Sequence, residues 1–118
     1  MTKPTHPGGG ATFDLAAAEH EMRREDAYLR GGHTARTLVR EPDLRIVLVV
    51  MKGGARMAEH RAEETASVHA LSGHVRLRLP DKTVELPSGS LLVLEKDLRH
   101  DVEAIDECAF LLTLGWKS

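Results

Sequence analysis

His60 and His100 are the residues of this chain best placed to do chemistry. Gly54 opens a segment Gly-Ala-Arg-Met-Ala-Glu that leads into His60, and Gly73 closes it; Gly89 opens a second segment that reaches His100. Each segment is a glycine turn feeding a strand, with one histidine at a set distance. Inside a closed β-barrel that arrangement carries two imidazoles into a shared interior. Paired imidazoles begin a metal site, but a catalytic metal needs a third protein ligand and an open position. Glu64 has the same strand parity as His60, so a continuing strand turns both inward. His60, His100 and Glu64 then form a two-histidine, one-carboxylate set suited to ferrous iron or to a similar divalent ion such as nickel, zinc or manganese. Glu63 takes the place of Glu64 if the chain bends after His60. The metal-free alternative is equally definite: a neutral histidine offers one donor and one acceptor, so the pair can satisfy itself within a dry pocket.

The elements that must position these residues are mostly strands. From His33 onward, short apolar runs alternate with turn signals: Thr34 to Arg40, Leu44 to Lys52, Arg56 to His60, Thr65 to Leu71, His74 to Leu79, Thr83 to Leu86, Leu91 to Leu94, His100 to Ile105 and Cys108 to Leu114. Glu41-Pro42-Asp43, Gly53-Gly54 and Pro87-Ser88-Gly89 are turns. Many short strands at this spacing predict an all-β sandwich or barrel. Ahead of them one helix is predicted over 14–30, with Asp14 as N-cap and Leu15, Ala18, Met22 and Leu29 on one face. Glu19 with Arg23 and Asp26 with Arg30 are favourable i,i+4 pairs on it. Residues 1–12, rich in Pro and Gly, read as a flexible tail, and 13–118 as a single domain with its barrel over 34–115.

Composition removes several function classes. The 118 residues carry a formal charge of −2 with acids and bases interspersed, and only 3% are aromatic. A nucleic-acid binder shows a basic stripe and stacking rings, so none is expected as a partner. No apolar run approaches the roughly 18 residues that span a bilayer, and Met1 to Gly10 lacks the apolar stretch of a secretory signal. Cys108 is the single cysteine, which suits a reducing cytoplasm. The chain holds no Asn and no Gln, which removes amide ligands and amide oxyanion donors together. Ile46 to Met51 and most of Cys108 to Leu114 are apolar on both faces, so the helix, a second subunit or both must cover an outer sheet face. A homodimer is therefore expected. His69 falls on the face opposite Ala66, Val68 and Ala70; His74, His20 and Cys108 need only surface or core roles.

The two histidine segments resemble the motifs of the cupin family, in its small single-domain, RmlC-like jelly-roll form. Gly54, His60 and Gly73 fit the first motif in kind and spacing, and Gly89 and His100 fit the second. The resemblance spans residues 34–115. It implies an all-β jelly-roll barrel or sandwich with one short N-terminal helix. A full cupin site would hold a metal with three histidines and one glutamate, whereas here Ala62 and Ala66 stand at two ligand positions. Glu95, Asp97 and Ala104 replace the proline, glycine and asparagine of the second motif. What is carried over is His60 and His100, in a pocket lined by His60, Ala62, Ala66, Val68, Ala70 and His100. Mostly apolar with two polar anchors, such a pocket has the make-up of a small-molecule site. Three functions follow: a binding domain for a small carboxylate or aromatic compound, a divalent-metal oxygenase or isomerase, or a structural or regulatory dimeric subunit.

Overall fold

Strand alternation sets the architecture. In the computed structural model, which describes residues 10–115, nine strands among the described residues form two antiparallel sheets. The expected tail lies mostly outside the described residues, as does the C-terminal end over 116–118. The strands are β1 (His33–Glu41), β2 (Leu44–Met51), β3 (Arg56–His60), β4 (Ala66–Ser72), β5 (His74–Arg78), β6 (Thr83–Pro87), β7 (Leu91–Leu94), β8 (His100–Ala104) and β9 (Cys108–Leu114). The larger sheet runs β1-β2-β9-β4-β7 and the smaller β3-β8-β5-β6. The mostly-β, two-sheet architecture expected from the sequence is the one observed.

Period-two side chains from both sheets fill the space between them. Val49 and Met51 of β2, Val68 of β4, Val75 and Leu77 of β5, Val102 of β8 and Phe110 of β9 are all buried in this core. The register of the larger sheet builds it in rows. Arg45, Leu114, Ala66 and Leu94 form the row at one end, and Val47, Leu112, Val68 and Leu92 form the next. A third row brings Val49, Phe110 and Ala70 together.

The alternate residues of β2 and β9 pack outward under the N-terminal segment. Ala18, Met22 and Tyr28 bury themselves against Leu38, Leu48, Val50 and Ala109. Here the single helix expected over 14–30 is corrected to two, α1 (Leu15–Met22) and α2 (Asp26–Gly31). On one continuous helix, Met22 and Tyr28 would point about 120° apart. The tight turn between them, with Arg24 N–H bonded to the Glu21 carbonyl and Glu25 N–H to the Met22 carbonyl, lets both reach the sheet. Leu29, expected on the packing face, is instead 53% exposed. Asp14 caps α1 as expected, accepting from Ala17 N–H at 3.0 Å.

Candidate functional site

The site lies at the barrel end where the two histidine segments meet. His100 opens β8 and is only 5% exposed. Its Nδ1 lies 3.0 Å from the Leu98 carbonyl. A carbonyl can only accept, so Nδ1 carries the hydrogen and a neutral ring keeps Nε2 as an acceptor. The turn before it is pinned to the opposite loop, because Asp97 N–H donates to the Ala62 carbonyl at 2.7 Å. Asp97 has φ 65°, alone among the described non-glycine residues in the left-handed region. It stands where the cupin motif places a glycine, and Asp is among the few side chains that tolerate this conformation.

β3 and β8 pair so that His60 and His100 are backbone partners across the ladder. The register shifts between Met57, opposite Val102, and His60. Three steps along β3 match two along β8, which is a β-bulge. An unbulged ladder would set Glu59 opposite His100. The side chains of Glu59 and His60 lie outside what the structure describes.

Two adjoining cavities share His100 and Leu112. The outer one, about 360 Å³, is walled by Arg45, Arg61, Ala62, Glu63, Glu64, Ala66, His100, Leu112 and Leu114. The inner one is a narrow apolar extension of about 30 Å³ between Val49, Met57, Val68, Leu77, Val102, Phe110 and the shared pair. Of the expected pocket residues, Ala62, Ala66 and His100 line the mouth, and Val68 and His100 line the floor. Ala70 lies deeper, buried in the packed row beside Phe110, and lines neither of these cavities. His69 is exposed on the outer sheet face, as its parity requires.

Glu64 reaches the mouth by a different route from the one its parity suggested. β3 ends at His60 and the chain bends at Glu63 and Glu64, which returns both carboxylates to the cavity wall. Glu64 accepts from Arg45 at 3.3 Å, with its side chain 12% exposed. That guanidinium takes one of the carboxylate's acceptor sites. Among the described residues no group of three or more His, Cys, Asp or Glu is arranged to hold a metal ion.

Arg45, Arg61, Leu112 and Leu114 were not singled out from the sequence. Arg45 and Leu112 carried a usable signal: Arg45 shares parity with Val47, Val49 and Met51, and Leu112 with Phe110. A larger open groove of about 740 Å³ lies outside the barrel, between the helices and β1. Its two glutamates are already paired, since Arg36 holds both Glu21 and Glu25. Cys108 is buried, and desolvation pushes its thiol up to about 11, which keeps it protonated and unreactive near neutral pH.

Two closed antiparallel sheets with a histidine-lined mouth at one end define a cupin jelly roll. Residues 50–115 match the model of the AraC-like ligand-binding domain, and the chain belongs to that family. A conserved protein of unknown function from Streptococcus pyogenes is similar over 100% of this chain and 97% of its own, at 22% identity and TM-score 0.76. A cupin superfamily protein from Desulfitobacterium hafniense is similar over 71% of this chain and 77% of its own, at 14% identity and TM-score 0.68. An RmlC-like cupin from Shewanella frigidimarina is similar over 72% and 77% respectively, at 15% identity and TM-score 0.67. These structures share the fold. No curated protein matches the chain.

Proposed function

We propose that this chain binds a small organic molecule at the mouth of its barrel. The observation that carries this reading is the cavity of about 360 Å³ between the two motif loops, with buried His100 at its base. That volume is in the range of small-molecule sites, and its wall sets Arg45, Arg61, Glu63, Glu64 and His100 against Ala62, Ala66, Leu112 and Leu114. Membership of a ligand-binding domain family supports the same conclusion. The oxygenase or isomerase reading has less behind it, because Glu64 is held by Arg45 rather than offered to a metal.

Thermal shift against a panel of small acids, amines, amino acids and sugars tests the proposal. Ligands should raise the melting temperature of the wild-type protein by two degrees or more, on the order expected for roughly 1 kcal/mol of linkage. Ala62→Trp, which fills the mouth from a loop, should remove the shift and leave the circular dichroism spectrum unchanged. Equal shifts in both proteins would place binding elsewhere.

A second reading concerns assembly. Leu91 and Val93 of β7 are 62% and 61% exposed on the outer face of the larger sheet. A second copy of the chain covering this face would make the domain a homodimer, compatible with ligand binding in each barrel.

A further inference from the structure

Among the described residues, the mouth carries both signs of charge in equal number, and its remaining hydrogen-bonding capacity also has both signs. Arg45 and Arg61 face Glu63 and Glu64 around one cavity. Glu64 is mostly buried yet makes one hydrogen bond among the described residues, at 3.3 Å to Arg45. A carboxylate has about four acceptor sites, so this one keeps capacity for a further donor from the cavity. Arg61, exposed, lines the same space and has no ion-pair partner among the described residues.

These two groups select the ligand's head. A simple anion would suit Arg61 but stand beside the Glu64 carboxylate, and a simple cation would suit Glu64 but stand beside Arg61. A polyol would need hydrogen-bonding groups along its whole length, where part of the wall is Ala62, Ala66, Leu112 and Leu114. A zwitterion answers both charges at once. Beneath it, the inner cavity of about 30 Å³ is apolar, larger than the roughly 10–15 Å³ a single water requires. It has room for a short aliphatic group.

Resting on the small-molecule reading above, we propose that the ligand is an α-amino acid with a short aliphatic side chain, of valine size. Its carboxylate meets Arg61, its ammonium meets Glu64, and its side chain enters the floor beside Phe110.

The test is a titration of the ¹⁵N-labelled protein, followed by amide NMR, with L-valine, isovalerate, isobutylamine and D-xylose. Valine should move the amides of Ala62, Ala66, His100 and Leu112, and bind at least about tenfold tighter than isovalerate or isobutylamine, since each lacks one charge-assisted contact. Glu64→Gln removes the ammonium's partner and releases Arg45, so its preference should turn from valine toward isovalerate; the spectrum itself reports that the variant is folded. Binding of xylose or isovalerate at the same amides without valine would overturn the amino-acid assignment and leave the small-molecule reading standing. Silence of those amides toward all four probes would overturn the assignment. If the broader thermal-shift panel is also silent, the pocket reading falls with it.

Discussion

At the scale of single residues, burial rather than charge explains most of what the side chains do. Cys108 is 1% exposed, and its thiol is raised from 9.0 to about 11 by desolvation. Tyr28 is raised above 10.0, first by burial and then by donating to Glu107 at 2.6 Å. Both are acids whose neutral form the fold prefers. Their contribution to stability is complete below the unfolded-state values, and is lost as pH climbs and the unfolded chain ionises first. Denaturant melts should therefore show stability falling between pH 9 and 11. The decline should be shallower in Cys108→Ala, by up to the roughly 3 kcal/mol that two pKa units represent. An unchanged slope in the variant would mean the thiol is not the group responsible. Gly73 makes the complementary steric point. It has φ +70°, and a Cβ there would sit 2.0 Å from the Glu107 carbonyl oxygen and 2.9 Å from Cys108. Gly73→Ala should cost more than about 3 kcal/mol in chemical denaturation, since backbone strain and a backbone clash coincide. This is a physical reason for the glycine that closes the first histidine segment.

At the scale of elements, packing demand overrides local pattern. Helical periodicity fits one helix through Asp14 and Arg30, yet the sheet beneath wants Met22 and Tyr28 on the same side, and the chain breaks to supply them. Met22→Ala should cost about 3 kcal/mol, as for other buried large-to-small changes, because Met22 is 0% exposed. Leu29→Ala should fall within about 0.5 kcal/mol of wild type. Urea melts of the two variants separate the broken helix from a continuous one, where Leu29 would matter comparably. The same contrast explains what was legible in the sequence. Strands were readable because alternation in Val75, Leu77 and their neighbours is a local signal of two-residue period. Helix-to-sheet demand, the β3 bulge and the bend at Glu63 and Glu64 are set by partners distant in the chain. The bulge shifts the pairing of β3 by one residue, and no pattern in Arg56 to His60 announces it. Glu64 was found at the mouth for the wrong reason, by parity along a strand that had already ended. Arg45 was passed over although parity pointed to it, because a charge at the start of an apolar run resembles a strand end.

At the scale of the whole molecule, the two outer sheet faces have opposite characters, and the difference decides which can meet a partner. The smaller sheet is covered by an ionic ladder. His74 and Arg76 each reach Glu85 at 2.6 Å, Arg78 reaches Glu103 at 2.7 Å and Asp101 at 3.6 Å, and Arg56 reaches Asp101 at 3.8 Å. The bond from His74, then that from Arg76, holds the Glu85 carboxyl below its usual range. Burying this ladder would desolvate charges that are already matched, at little gain. The larger sheet is covered at one end by α1 and α2, while at the other Leu91 and Val93 remain bare, beside the half-buried Leu111. The interface between copies proposed above would therefore fall at the β7 end of the larger sheet. Fully burying a Leu or Val side chain stabilises by about 1.5–3 kcal/mol, and a two-fold interface counts each residue twice. Size-exclusion chromatography with light scattering should give a dimer at micromolar concentration, and a monomer once Leu91→Lys and Val93→Lys are combined. Arg76→Ala with Glu85→Ala, on the ladder, should leave the dimer intact. A wild-type monomer across the concentration range, or a dimer indifferent to the β7 changes, would mean that β7 keeps its apolar residues in water and that the helices are the only cover the outer face receives.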